Sequence, residues 1–151
     1  MKRIVVDTNV AFSAFLNVNS RIGQILINGA RYYDFHSPSY IMHELIEHKE
    51  RIKSIGKLSD EKFIELYGMI LHNVQIINHS IIPKSFYKSA EEICQDIDID
   101  DTPFVAINDY LKGKLWTGDM KLINGLSIKG YSKTITTNRL YSDFIQKENN
   151  R

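Results

Sequence analysis

The sequence predicts an α/β protein in which helices cover both faces of a parallel sheet. Short apolar segments such as residues 4–6 and 74–77 alternate with longer segments whose apolar residues recur at helical spacing. This alternation is typical of βαβ units, and right-handed crossovers restrict how such units connect. A chain of 151 residues suits one domain with its own core. We therefore expect one domain over residues 1–146 and a polar tail over 147–151.

Five segments have the β-branched or aromatic composition of strands. The first is the most informative, because Ile4, Val5 and Val6 form a continuous apolar run that ends at Asp7. An apolar helical pattern begins a few residues later, at Val10. The predicted strands are, in chain order, residues 3–6, 32–36, 74–77, 115–117 and 134–137.

The segments between these strands carry helix start and stop signals. Ser20 can cap one helix that Gly29 ends, and the acidic residues 60–61 suit the first turn of another. Pro38 is acceptable in the first turn of the helix that follows the second strand, and Gly113 can end a later one. The predicted helices cover about residues 10–15, 20–28, 37–54, 59–71, 85–96, 102–112 and 138–146.

The composition is that of an ordinary globular chain. The hydrophobic fraction of 43% and the charged fraction of 25% are typical, and a net charge of +1 argues neither for nor against nucleic acid. Cys94 is the sole cysteine, so the sequence has no disulfide framework. No apolar run approaches the roughly 18 residues of a membrane span, and the N-terminus lacks the apolar core of a signal peptide. We expect a cytoplasmic protein.

Two aspartates follow predicted strands. Asp7 ends the first strand, and Asp119 comes just after the fourth. A buried carboxylate is costly unless something pairs with it, and ligands of open α/β sheets bind at the carboxyl edge. If the two strands are neighbours, these carboxylates face one crevice about 5 Å apart, which is the usual strand spacing.

Two further acids can join this pair. Asp101 lies in a first helical turn, where stabilisation of the helix dipole would by itself explain it. Glu44 lies at the border of the apolar face of its helix, whereas Glu47 points towards solvent. Several carboxylates in one crevice repel one another, and a hard divalent ion such as Mg²⁺ or Mn²⁺ resolves that conflict. His43 and His48 lie five residues apart instead of four, so we expect surface residues and no zinc site.

Other patterns compete with this interpretation. Residues 98–102 match the DxDxT motif of aspartate-nucleophile phosphatases, but that motif should end a strand and here follows a predicted helix. An EF-hand interpretation of residues 96–107 fails because the sixth position is Asp101 and the twelfth is Ile107. The basic cluster of Lys49, Arg51 and neighbouring lysines is expected to be a solvated helix face.

The acidic residues and their surroundings resemble the PIN-domain family. The segments V-V-D-T-N-V, S-Y-I-M-H-E-L, D-D-T-P-F-V-A-I and W-T-G-D-M-K-L occur in the family's order and at approximately its spacing. The resemblance implies a three-layer α/β/α fold whose parallel sheet has the order 3-2-1-4-5. That order would place the strands of Asp7 and Asp119 side by side. It also implies a Mg²⁺- or Mn²⁺-dependent ribonuclease that acts mainly on single-stranded RNA.

The resemblance assigns roles to individual residues. Asp7 and Asp119 would ligate the metal directly, while Glu44 and Asp101 would ligate it through water or act as general base. Asn9 would support the first aspartate, and Thr117 would supply a hydroxyl two residues before the last one. Asp100 is an adjacent alternative for the third acid. We choose Asp101 because the apolar residues 104–106 then fall at the family's spacing.

The resemblance also implies partners. Single-stranded or structured RNA is the expected substrate, and Lys112, Lys114 or Lys121 could hold its backbone. The family includes toxins of the VapC type, so an antitoxin protein and a homodimer are further expectations. The W-T-G-D form of the last motif leaves toxin status open. The alternative function is a non-catalytic PIN-like module that binds RNA or protein.

Overall fold

The computed structural model describes residues 1–151 and joins five parallel strands in one sheet. The sheet order is β3-β2-β1-β4-β5, so the order expected from the resemblance is confirmed. Val6 of β1 pairs with Trp116 of β4 at the centre of the sheet. The strands are β1 (Lys2–Val6), β2 (Tyr33–Pro38), β3 (Val74–Ile77), β4 (Lys114–Trp116) and β5 (Thr134–Ile135).

Nine helices accompany the sheet. Ile4, Val5 and Val6 are all 0% exposed although successive strand residues point to opposite faces, so helices cover both sides of β1. No single helix has the length and apolarity of a membrane span; only the first two helical stretches, bent by 106°, reach those limits as a pair. The helices are α1 (Thr8–Leu16), α2 (Arg21–Asn28), α3 (Tyr40–Glu47), α4 (Lys49–Gly56), α5 (Asp60–Leu71), α6 (Lys84–Cys94), α7 (Thr102–Leu111), α8 (Met120–Ile128) and α9 (Thr137–Asn149).

Serines cap the starts of helices α2 and α5, and the cap at Ser20 is the one expected from the sequence. The Ser20 hydroxyl accepts a hydrogen bond from the Gly23 amide at the start of α2. The Ser59 hydroxyl accepts one from the Lys62 amide at the start of α5. Both contacts satisfy amides that have no partner inside the helix, so these starts could be located from sequence alone.

The helix predicted over residues 37–54 is wrong in two respects. Pro38 is the last residue of β2 and does not lie in a helical turn. The remaining stretch is two helices, α3 and α4, which are separated at His48 with φ −95° and ψ 11°. No glycine or proline lies between residues 40 and 55, so nothing in the local composition marks the break.

Two helical segments differ from what the sequence predicts. Helix α8 occupies residues for which no element is predicted; Leu122 and Leu126, four residues apart, are its buried face. Helix α9 continues to Asn149, so most of the tail expected at residues 147–151 is helical. The Tyr32 hydroxyl donates to the Glu148 carboxylate at 2.6 Å, a tertiary contact that holds this last turn.

The end of α7 also differs from the expectation. Lys112, not Gly113, adopts the left-handed conformation, with φ 55°. Gly113 is required for a different reason, since a Cβ there would lie 2.8 Å from the carbonyl oxygen of Arg3. The glycine therefore permits the close approach of the α7–β4 connection to β1.

We expect Gly113→Ala to lower the Tm, because the added methyl group meets backbone that cannot rotate away. Overpacking of this kind costs about 1–3 kcal/mol. Gly68→Ala is the matched control, since Gly68 lies within α5 and a Cβ added there would have no neighbouring atom within 4 Å. That change should raise the Tm through its better helix propensity. Thermal unfolding followed by circular dichroism measures both, and equal shifts would contradict the close-approach explanation.

Candidate active site

A cleft opens at the carboxyl edge of the sheet, where β1 and β4 end. All four predicted carboxylates line this cleft, which has a volume of about 310 Å³. Asp7 follows β1 directly, and its amide donates to the Trp116 carbonyl of β4 at 3.1 Å. The lining residues are Asp7, Thr8, Asn9, Phe12, Glu44, His48, Arg51, Asp101 and Asp119.

Helix starts position three of the four acids. Asp7 is the N-cap of α1, Asp101 directly precedes α7, and Asp119 is the N-cap of α8. The Asp119 carboxylate accepts a hydrogen bond from the Leu122 amide at 3.1 Å. The positive ends of these three helices therefore point towards the cleft and offset part of the negative charge gathered there.

Thr117 connects the two strand-end aspartates. Its buried hydroxyl donates to Asp7 Oδ2 at 2.7 Å and accepts from the Asp119 amide at 3.1 Å. Asn9 Nδ2 lies 3.4 Å from the same hydroxyl, and Asn9 Oδ1 accepts from the Gly118 amide at 3.4 Å. Thr117 therefore contacts Asp7 directly, whereas Asn9, expected to support Asp7, contacts Thr117 and the turn before Asp119.

Thr8 also belongs to the site, although it was not among the residues expected from the sequence. Its amide donates to Asp7 Oδ1 at 2.7 Å, and its hydroxyl donates to Glu44 Oε1 at 2.6 Å. Thr8 therefore connects Glu44 of α3 to Asp7, the residue that follows β1. The available signal was its position between Asp7 and Asn9, in a motif whose flanking residues were both singled out.

The two candidates for the third acid lie in different places. Asp101 is in the cleft, where its Oδ2 atom is buried and has no hydrogen-bond partner. Asp100 is exposed and lines a separate surface hollow with Tyr40 and Glu91. Asp101 therefore lies in the cleft with the other three acids, and Asp100 does not.

Burial makes ionisation of these acids unfavourable. Burial raises the pKa of Asp7 to about 6, although hydrogen bonds from Thr117 and Thr8 oppose the shift. Burial, followed by the charge of Asp7, raises the pKa of Asp101 to about 8. The pKa of Glu44 is also raised, again chiefly by burial. The positive charge close to these acids is therefore too small to compensate their ionised forms.

The donor set fits a hard divalent cation. Four carboxylates supply oxygen ligands, and the unpartnered Oδ2 of Asp101 is an oxygen without any other role in the structure. The side chains are not gathered around a common point, since no three acidic, histidine or cysteine residues form a group that could hold a metal ion as they stand. The cleft thus offers suitable ligand chemistry without a closed coordination shell.

Two residues expected on a solvated surface, His48 and Arg51, also line the cleft. His43 is exposed as expected and contacts Glu47 at 3.7 Å. A helical signal for the two lining residues was present, because positions 44, 48 and 51 have the i, i+4, i+7 spacing of one helix face. Because Arg51 was grouped with the neighbouring lysines as a solvated helix face, its place on the same helix face as Glu44 was not recognised.

Two of the three lysines expected to contact RNA lie away from the cleft. Lys114 begins β4 and Lys112 precedes it, so both are at the amino edge of the sheet. They share a surface hollow there with Lys2 and Arg3. Lys121 is exposed in the first turn of α8, the helix that Asp119 caps at the cleft.

Comparisons with known proteins agree with this architecture. A family model described as the PIN domain matches residues 5–142. A search of curated proteins finds no match. Among solved structures, a chain from the crystal structure of VapBC2 from Rickettsia felis bound to a DNA fragment from their promoter aligns with a TM-score of 0.66. The alignment covers 89% of this chain and 96% of that chain at 16% identity, which supports similarity of fold.

We expect Asp101→Asn to raise the Tm in EDTA at pH 8, by about 2–4 °C for each kcal/mol recovered. The pKa of Asp101 is about 8 in the folded chain and 3.8 as a free side chain. Its contribution to stability is therefore complete below pH 4 and is lost as the pH rises towards 8. The difference between variant and wild type should shrink accordingly at pH 4.

Asp100→Asn is the matched control, because it removes the same charge from an exposed neighbouring position. Thermal unfolding at pH 4, 6 and 8 distinguishes the two variants. An equal rise in Tm in both variants, with no dependence on pH, would show that burial of Asp101 does not destabilise the fold.

Proposed function

Because the chain belongs to the PIN-domain family, we propose that the cleft is the active centre of a divalent-metal-dependent endoribonuclease. PIN domains are generally nucleases. The observation that carries the proposal is the convergence of Asp7, Glu44, Asp101 and Asp119, from four separate chain segments, on one cleft. Four partly buried carboxylates in one place lower the stability of the fold. Their proximity is explained if they bind a cation.

Asp7 and Asp119 would hold Mg²⁺ or Mn²⁺, with Glu44 and Asp101 completing the ligand set. When bound, the cation supplies Lewis-acid stabilisation of the phosphate charge and makes an attacking water more acidic. Thr8 and Thr117 fix the orientation of the Asp7 carboxylate by donating to its two oxygens. Asp101 or Glu44, in its ionised form, would accept a proton from water and so serve as general base.

A second candidate function is a non-catalytic module that binds RNA or protein. One observation favours it, namely that no three potential ligands form a ready-made metal group. The phosphatase interpretation has no comparable support. Asp98 follows helix α6 and not a strand, is exposed, and accepts a hydrogen bond from the Asp100 amide at 3.0 Å.

We expect the protein to cleave end-labelled single-stranded RNA in Mn²⁺ and to stop when EDTA is added. Asp7→Asn should reduce the rate by on the order of 100-fold or more, because it removes charge from the centre of the ligand set. Gel analysis of the labelled products over time gives the rates. A folded protein that cuts equally well with Asp7→Asn would overturn the assignment of the site.

A pair of neighbouring variants controls for nonspecific loss. Asp101→Asn should impair cleavage, whereas Asp100→Asn should retain most of the wild-type rate, since Asp100 lies outside the cleft. Absence of cleavage by well-folded wild-type protein on several RNAs would favour the non-catalytic module.

We further propose an antitoxin partner and a homodimeric state. The neighbour from Rickettsia felis is named as VapBC2 bound to promoter DNA, and the present chain shares its fold. If this chain is a toxin, its overexpression in a bacterial host should arrest growth, and co-expression of an adjacent small reading frame should relieve the arrest.

Asp7→Asn is the inactive control for that growth experiment, because it should be harmless at the same expression level. Unimpaired growth at high levels of folded wild-type protein would count against a toxin. Sedimentation of the purified chain distinguishes a dimer from a monomer.

A further inference from the structure

We infer that Arg51, braced on the ring of Phe12, binds a backbone phosphate of the substrate strand beside the carboxylate site. This inference rests on the proposed nuclease function and specifies part of its substrate recognition. The ligand that the inference implies for the cleft is a continuous polynucleotide strand and not a small phosphomonoester. Arg51 would be a substrate-binding residue that contributes to affinity rather than to the chemical step.

The first argument is the position of the guanidinium group. Arg51 is exposed on α4 and lines the same cleft as the four acids. Its guanidinium carbon lies 5.6 Å from the centroid of the Phe12 ring, which belongs to α1. Phe12 is half-buried and is the hydrophobic member of the cleft lining. A guanidinium stacked on a fixed ring is restrained before any ligand arrives, so less conformational freedom is lost on binding.

The second argument is that the charge of Arg51 has no carboxylate partner. The other basic residues within α4 are engaged, since Lys49 contacts Asp60 at 3.6 Å and Lys53 contacts Asp60 and Glu50. Arg51 forms no ion pair within 4.0 Å, although four carboxylates line the same cleft. Its donors therefore remain available to an anion.

The third argument is chemical complementarity. The planar donors of arginine match two oxygens of a phosphate, and arginine is less strongly hydrated than lysine. The cleft volume of about 310 Å³ is at the small end for a ligand site, so it can enclose only a short part of a nucleic acid strand. The four carboxylates and their cation would hold the scissile phosphate. A neighbouring phosphate of the same strand would then lie beside the exposed Arg51.

The test measures binding of a fluorescein-labelled single-stranded RNA of about 12 nucleotides by anisotropy, in Mn²⁺ and at several salt concentrations. All proteins carry Asp7→Asn so that the RNA is not cut. Adding Arg51→Gln should weaken the Kd about tenfold and reduce the slope of log K against log salt by about 0.7, the value for one phosphate contact on a single strand. Arg51→Lys should keep the slope and lose about threefold in affinity.

Lys114→Gln is the matched control, because it removes one positive charge from an exposed, unpaired residue at the opposite edge of the sheet. It should change the Kd less than twofold. Equal Kd values and salt slopes for Arg51→Gln and its parent would overturn the inference, as would an equal loss in Lys114→Gln.

Cleavage kinetics separate this inference from the proposed function. In the chain with Asp7 intact, Arg51→Gln should raise KM about tenfold while kcat changes less than threefold. Normal cleavage with unchanged KM would overturn the role of Arg51 and leave the nuclease standing. RNA binding that depends on Arg51 in a protein that never cuts RNA would support the phosphate contact and contradict the nuclease.

Discussion

The burial of a carboxylate at the end of the central strand is the constraint on which the rest of the site depends. Asp7 is only 5% exposed, and an isolated ionised acid at such a position would be strongly unfavourable. The fold compensates with the Thr8 amide, the Thr117 hydroxyl and the start of α1. The two hydrogen bonds lower the pKa of Asp7 without returning it to its ordinary value, so the surroundings do not fully compensate the charge of the carboxylate. A bound cation is the simplest source of the positive charge that the surrounding residues do not supply.

Hydrogen bonds from two threonine hydroxyls connect acids that come from separate parts of the chain. Thr117 links Asp7 to the turn that carries Asp119, and Thr8 links Asp7 to Glu44 on a helix from another part of the chain. Each hydroxyl has one proton to donate and gives it to a carboxylate, so both contacts favour the ionised form of the acid. The buried Oδ2 of Asp101 has no such donor, and burial together with the charge of Asp7 raises its pKa to about 8, compared with about 6 for Asp7. Hydrogen bonds therefore oppose the effect of burial on the pKa values of Asp7 and Glu44, and Asp101 has none at its buried oxygen to do so.

Local sequence signals predicted the parts of the fold that depend on local chemistry. The apolar run of β1, the bounds of β3 and the serine caps could all be read from neighbouring residues, and the motif order led to the sheet order. The break at His48 could not be predicted, because no glycine or proline marks it. Helix α8 was missed although Leu122 and Leu126 have helical spacing, since Gly125 interrupts the pattern. Glycine is favoured at position 125 because an added Cβ would come within 2.9 Å of the Ile97 side chain. The sequence does not reveal this tertiary contact.

The net charge of +1 conceals a segregation of charge that only the fold reveals. Four acids meet at the carboxyl edge of the sheet, while Lys2, Arg3, Lys112 and Lys114 gather at the amino edge. Within the cleft the same separation recurs on a smaller scale, from the half-buried Glu44 to the exposed Arg51, seven residues later. An acidic interior attracts a cation, and a positive rim attracts an anion. A ligand that satisfies both is an extended anion bound through a metal, and this description fits a nucleic acid backbone better than a small neutral substrate.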